Sequence, residues 1–496
     1  MLKQNGLLLL LMNMNVKIGL QMEHFTQLNL EKGLEKRRRM IHCFTINNCH
    51  IALDVHSGAV HILDDLAYNI LTDNNTDGYT QEIVAEAQAE INKLIVKGQL
   101  YSKPSDKSSE ITFIQNRKPV VKSLCMHIAH DCNLRCAYCF ASEVLTASKP
   151  AQAPPDIFRV PGEGDYGAIS RTLMSPEVGK KAIDFLITES GNRRNLEVDF
   201  FGGEPTLNFE TVKEIVAYAR SLEAETNKNF RFTLTTNGLL LDNEKIEYIN
   251  HQMDNVVLSM DGRKEVNDKM RKSLDPKVSC YDKILPKFLQ LAEARNHKNY
   301  YIRGTYTREN LDFSKDVLHM ADLGFSQISV EPVIGPLSAS YSIRKEDIPV
   351  LCKAYEDLAI EMINRNQEFH FFHFMLDMKN GPCAAKRITG CGAGTEYLAV
   401  TPEGDLYPCH QFVGDKQFYL GNLDSGITQH DWQEKFSRCN VYTKPECNEC
   451  WAKYFCSGGC AANAFHTSGD IMKPDEIGCE LQKKRLECAL YLLTNQ

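Results

Sequence analysis

The 496-residue chain lacks any apolar run long enough for a membrane span. The N-terminal stretch Leu7 to Met12 is too short to cross a bilayer. Behind it, Asn13, Asn15, Lys17, Glu31, Lys32 and the basic run Lys36-Arg37-Arg38-Arg39 offer no small-residue cleavage site. The expectation is a cytoplasmic protein with no membrane partner. An excess of positive charge is missing too. Fifty-six Lys and Arg against 64 Asp and Glu give a formal net charge of −8, which draws neither nucleic acid nor acidic lipid to the chain as a whole. Core-forming residues are plentiful: at 43% hydrophobic and this length, about three domains are expected.

Cysteine is abundant, with 18 residues gathered in short spaced clusters. In a reducing compartment that pattern reads as metal binding rather than disulfides. In Cys132-Asn133-Leu134-Arg135-Cys136-Ala137-Tyr138-Cys139, three thiolates on one short loop hold a [4Fe–4S] cluster by only three irons. The open fourth iron can chelate the amino and carboxylate groups of S-adenosylmethionine (SAM) and pass one electron to its sulfonium. A second cluster comprises Cys447, Cys450, Cys456 and Cys460, with Cys391, Gly404 and Cys409 upstream and Cys479 downstream. By ligand type and spacing alone, Cys447, Cys450, Cys456 and Cys460 also suit a tetrahedral zinc site, an alternative that leaves Cys391, Cys409 and Cys479 without a role. Cys43, Cys49, Cys125, Cys280, Cys352, Cys439 and Cys488 read as small buried apolar residues.

Residues 1–39 carry no pattern and are expected to be a disordered or artefactual extension, with Met40 as the alternative start. Beyond Met40, Phe44-Thr45-Ile46, His50 to Asp54 and Ala59 to Leu63 read as strands, with a turn at His56-Ser57-Gly58. Asp64 or Asp65 caps a helix through Leu71. Thr80 caps another, in which Ile83, Val84, Ala87, Ile91, Leu94 and Ile95 recur at helical spacing until Gly98. Residues 40–103 thus form a first unit, and the patternless 104–119 a linker. Across 120–335, Ser123 to His127, Glu197 to Phe201, Phe230 to Leu234, Asn255 to Met260, Tyr300 to Thr305 and Gln327 to Val330 read as strands alternating with amphipathic helices. Six such units predict an α/β fold, a parallel sheet curled as a partial (β/α)6 barrel with its chemistry at the C-terminal strand ends. A helical linker, 336–380, leads to the cysteine-rich 381–496.

The Cys132 loop followed by this βα order resembles the radical SAM fold. That resemblance implies SAM contacts at the strand exits: Gly202, Gly203 and Glu204 after the second strand, Asn237 after the third, Ser259 and Asp261 after the fourth (with Asp268 and Arg271 soon behind) and Arg303 on the fifth. The two glycines let backbone approach a ligand closely, Glu204 accepts from the SAM ammonium group, and Arg303 forks onto its carboxylate or makes a structural ion pair. Glu331, after the sixth strand, is a weaker candidate. The C-terminal cysteines resemble the SPASM twin-cluster domain. By its connectivity Cys391, Cys409 and Cys460 hold auxiliary cluster I, while Cys447, Cys450, Cys456 and Cys479 hold auxiliary cluster II. Cys383 is an optional fourth ligand of the first. The cofactors implied are three [4Fe–4S] clusters and SAM, with all ten of these cysteines as metal ligands. Residues 40–103 resemble the winged-helix-like recognition element of peptide-modifying enzymes, which adds a leader peptide at a sheet edge. The alternative is a capping domain with no ligand.

Ile51 to Gly58, Asn192 to Phe201 and Gly390 to Tyr397 resemble, more narrowly, the maturases of SCIFF peptides, small cysteine-rich ribosomal peptides. The resemblance implies a radical SAM oxidoreductase that bonds a peptide cysteine sulfur to a threonine α-carbon, with the precursor peptide and an external electron donor such as flavodoxin or ferredoxin as partners. No catalytic residue beyond the cofactor ligands is singled out. A sulfatase-maturing oxidase is the nearest alternative, although His410 follows Cys409 where that family has Asp. A non-catalytic iron–sulfur peptide scaffold is the alternative from another class. Leu145 to Gly167 is a longer loop than the family pattern, a lid or a disordered insertion.

Overall fold

The computed structural model describes residues 41–103, 112, 120–139, 172–335, 338–376 and 384–495. The expected 1–39 extension, nearly all of the 104–119 linker, the 145–167 loop and Cys383 lie outside them. The first unit is an antiparallel sheet of β1 (Ile41–Ile46), β2 (Cys49–Asp54) and β3 (Val60–Leu63), with β2 in the centre. Two helices follow, α1 (Asp65–Thr72) and α2 (Gln81–Val96). Each starts where a side-chain oxygen takes an otherwise unpaired amide: Asp64 accepts from Ala67 N and Thr80 from Ile83 N. β1 docks on the C-terminal region. His42 Nε2 lies 2.9 Å from Glu487 Oε1, and its ring stacks on Trp451 at 3.7 Å. β3 is the opposite edge, with Ile62 exposed on it.

The second unit alternates β4 (Ser123–Ala129), β5 (Leu134–Cys136), α3 (Pro176–Glu189), β6 (Asn195–Gly202), α4 (Phe209–Thr226), β7 (Asn229–Thr236), α5 (Asn243–Gln252), β8 (Asn255–Ser259), α6 (Lys264–Met270) and β9 (Arg271–Ser273). It continues through α7 (Cys280–Ala294), β10 (Tyr300–Tyr306), α8 (Phe313–Asp322), β11 (Gln327–Pro332), α9 (Ile348–Asn364) and β12 (His370–Phe371). All seven residues of β4 are buried, as an apolar strand covered on both faces requires. Beyond lie α10 (Ala384–Thr389), β13 (Tyr397–Val400), β14 (Asp405–Tyr407), β15 (Gly421–Asn422), β16 (Gly426–Ile427), α11 (His430–Ser437), α12 (Pro445–Asn448), α13 (Lys453–Cys456), α14 (Ala461–Ser468) and α15 (Glu476–Thr494).

The large sheet has the order β12-β11-β10-β8-β7-β6-β4-β13-β14-β15-β16, parallel from β12 to β13 and antiparallel after it. The six strands read from periodicity stand together in its middle. Two short strands extend them: β12, inside the stretch read as a helical linker, pairs with β11, and β13, from the cysteine-rich region, pairs with β4. One sheet therefore runs from the cysteine loop into the C-terminal region. No helix among the described residues is long and apolar enough to cross a membrane.

Candidate functional site

The cysteine loop leaves the C-terminal end of β4. Cys136 closes β5 and is the register partner of Arg271 on β9, while Cys139 N donates to Cys136 O at 3.2 Å. Burial pushes the Cys132 thiol up to about 12 and Cys136 well above its ordinary value, and Cys139 raises both further. Mutual repulsion of that kind places the three thiols around one recess. Gly202 and Gly203 are required by the packing of the backbone itself. A Cβ on Gly202, whose φ is +114°, would stand 2.3 Å from Ala129 O, and one on Gly203 2.1 Å from Asp131 O. What the glycines approach is the backbone leading into the cysteine loop, pinned by Gly203 N to Ala129 O at 2.7 Å and Glu204 N to Asp131 O at 2.9 Å.

Glu204, a candidate for the SAM ammonium group, is 1% exposed and already engaged. Oε1 accepts from Thr206 N at 3.0 Å and Thr236 Oγ1 at 2.7 Å, and Oε2 from Asn237 N at 2.7 Å, so the carboxylate joins two strand exits. Only Oε2 keeps a lone pair for a further donor. Asn237 in turn donates to Asn133 Oδ1 at 2.7 Å and to Cys132 Sγ at 3.7 Å, placing its amide on the cysteine loop. Asp261, expected at the cofactor, has no exposed surface. It accepts from Tyr138 OH at 2.6 Å, Arg271 Nη2 at 3.0 Å and Thr305 N at 2.9 Å, a set that holds the loop from below and leaves little for a ligand. Asp268 is likewise spent on Ser279 and the amide of Tyr281, where α7 begins. Tyr138 was not singled out on sequence; an aromatic with a polar tip between two cysteines was the available signal.

Ser259, at the end of β8, is the register partner of Arg303 in the middle of β10. Arg303 is 56% exposed and lies 3.9 Å from Glu331 Oε1, too far for a fork, so its guanidinium is available at the mouth. Glu331 Oε2 is 3.0 Å from His373 Nε2. Burial alone pushes the Glu331 carboxyl up, but His373 and Arg303 hold it well below the usual range. Burial and the Arg303 charge bring the His410 imidazole down to about 4, so it is uncharged at neutral pH. Its ring lies 5.0 Å from that of Phe201, and Cys139, Phe201, Tyr397 and Cys409 share one apolar cluster.

The C-terminal thiols divide into two sets. Burial pushes the Cys409 thiol well above its ordinary value, and Cys460 and Cys391 push it further; Cys391 does the same to Cys460. Burial takes Cys479 up to about 12, with further contributions from Cys456, Cys447 and Cys450. Cys460 thus faces Cys391 and Cys409, away from the four-thiol zinc alternative. Cys391 and Cys460 are solvent-accessible while burial still raises the Cys460 thiol, as for a sulfur facing a recess. Among the described residues no three His, Cys, Asp or Glu side chains converge tightly enough to grip a single metal ion. A cubane places each thiolate on a different iron and spreads them wider. The all-thiol donor sets suit iron–sulfur clusters.

The comparisons agree with that geometry. Residues 126–295 match the radical SAM superfamily, and residues 391–451 match the iron–sulfur cluster-binding SPASM domain. The radical SAM cyclopropyl synthase TigE of Paramaledivibacter caminithermalis is 22% identical over 73% of this chain and 72% of its own length. A cysteine-type anaerobic sulfatase-maturating enzyme of Clostridium novyi is 23% identical over 75% of this chain and 97% of its own. The solved structure of native anSMEcpe with bound AdoMet superposes with a TM-score of 0.59 at 22% identity, covering 75% of this chain and 98% of that one. Streptococcus suis SuiB bound to precursor peptide SuiA gives 0.51 at 16% identity, covering 89% and 98%. A region matching the radical SAM superfamily is thus followed by one matching the SPASM domain, in an α/β fold built on one large, mainly parallel sheet. [4Fe–4S] clusters and SAM are the cofactors of these domains.

Proposed function

We propose that this protein is a radical SAM peptide maturase that bonds a cysteine sulfur to a threonine α-carbon within a cysteine-rich, SCIFF-type precursor. The observation that carries the reading is the arrangement of thiols: Cys132, Cys136 and Cys139 in one recess, Cys391, Cys409 and Cys460 in a second beside the sheet mouth, and Cys447, Cys450, Cys456 and Cys479 in a third. These sets would hold three [4Fe–4S] clusters. Bound there with SAM, they supply a hydrogen-abstracting 5′-deoxyadenosyl radical and sinks for the electron released. The chain's own residues orient and exclude. Arg303 offers a guanidinium for the SAM carboxylate and Ser259 a neighbouring hydroxyl, while Asn237 and Asp261 fix the loop. His410, uncharged at neutral pH, follows Cys409 where the sulfatase-maturing family has Asp.

The first unit supports a peptide partner. Among the described residues it leaves the β3 edge unpaired, a template for strand addition by a leader. SuiB, whose match covers more of this chain than anSMEcpe does, is recorded with its precursor peptide. A sulfatase-maturing reading is favoured by the Clostridium novyi relative, matched over 97% of its length, but three quarters of this chain suffices for that match. The discriminating experiment incubates the enzyme with reductant, SAM and precursor peptide deuterated at threonine Cα. Deuterium in 5′-deoxyadenosine, with a product two hydrogens lighter per bridge, is expected. Transfer from cysteine Cβ instead contradicts the thioether reading.

A further inference from the structure

Lys444 is a buried cation without an acid partner. At 1% exposure it is the most buried lysine among the described residues, and no carboxylate there lies within ion-pair distance of it. Asp470, whose carboxyl the Lys444 charge helps to lower, is half-exposed and pairs with Lys435 at 3.4 Å. A buried ammonium requires a compensating anion. Its surroundings show where that anion belongs. Lys444 O accepts from Cys447 N and Asn448 N, both at 3.1 Å, so the residue opens the short helix carrying Cys447. Its Nζ donates at 2.9 Å to Gly458 O, midway along the loop between Cys456 and Cys460. One side chain is thus wedged between the two C-terminal thiol sets. Its charge opposes the effect of burial at Cys439, to which it also hydrogen-bonds, and at thiols of both sets: Cys447 and Cys456 in one, Cys460 in the other.

We infer that Lys444 is a fixed counter-cation shared by the two auxiliary cluster sites, stabilising the negative charge of both and favouring their reduced states. The inference rests on the reading that the C-terminal thiol sets hold clusters. A cluster gains one negative charge on reduction, and an ammonium in a low-dielectric interior between two such sites favours that gain at each. The cations at the Cys132 loop are differently placed: Arg271 pairs with Asp261 at 3.0 Å, and Arg135, within the loop, donates to the carbonyls of Cys132 and Leu134.

The test is an EPR-monitored redox titration of the anaerobically reconstituted full-length protein, comparing wild type with Lys444→Met and Lys444→Arg, alongside iron counting. Wild type with auxiliary clusters establishes the underlying reading independently. Lys444→Met is then expected to shift both auxiliary couples toward more negative potential by about tenfold in the reduction equilibrium, about 59 mV for one electron. The Cys132-loop couple should not move, and Lys444→Arg should restore the auxiliary values. If Lys444→Met instead loses auxiliary iron, retention of that iron in Lys444→Arg supports the inference. Unchanged auxiliary potentials in Lys444→Met, or equal iron loss in both variants, overturns it.

Discussion

The two cysteine-bearing regions solve one problem with different materials. The Cys132 loop is local: three thiols within eight residues, braced from below by Asp261, Tyr138 and Arg271 and from the side by Glu204 and Asn237. Of the cations beside it, Arg271 pairs with Asp261 and Arg135 donates to loop carbonyls. The C-terminal sets draw their thiols from loops and short helices far apart in sequence, as from Cys391 to Cys460 in one set, and the cation among them, Lys444, has no acid partner among the described residues. A local loop needs a polar scaffold to hold its shape. A set collected from distant loops is shaped by the chain's packing, and its charge balance is left for the bound group to complete.

Replacing Cys132, Cys136 and Cys139 together with Ala breaks the local half outright. SAM cleavage should vanish while the C-terminal thiol sets keep their iron, as read by 5′-deoxyadenosine assay and iron content. Iron loss from all three sites would mean the regions are not independent. Asp261→Ala should have the next largest effect. It strands the buried Arg271 guanidinium and should cost about 3–5 kcal/mol in denaturant unfolding. Tyr138→Phe removes only the hydroxyl contact with Asp261 and should cost about 1 kcal/mol. Equal effects would show that the scaffold is not built on the Asp261–Arg271 pair.

The smallest expected effect is a pH dependence beneath the loop. Burial, then the charges of His130 and His410, hold the His127 imidazole well below 6.5. A depressed folded value means the unfolded chain binds the proton more readily, so this stability is present above 6.5 and is lost as pH falls below it. Unfolding free energy should therefore decline on going from pH 7 to pH 5, and His127→Gln should flatten the slope. An identical slope in the variant would contradict the assignment.

The six central strands were legible because each is an apolar run long enough to declare its period, and observed bounds differ from expected ones by up to two residues, as at Gln327–Pro332. β12 and β13 were not: two and four residues carry little pattern, and their pairing with β11 and β4 is decided by packing far along the chain. Cysteine spacing marked the thiols, but not the tasks of their neighbours. Glu204 and Asp261 stood out as acids at strand exits, but sequence does not show the protein donors that occupy most of their lone pairs. Lys444, one lysine in a polar segment, gave no sign of its burial.

The most direct measurement is iron and zinc content with Mössbauer spectroscopy of the anaerobically reconstituted protein. Ten thiols divided as three, three and four predict about twelve irons in three [4Fe–4S] clusters, with about four lost on replacing Cys391, Cys409 and Cys460 by Ala. About four irons accompanied by bound zinc would contradict the account.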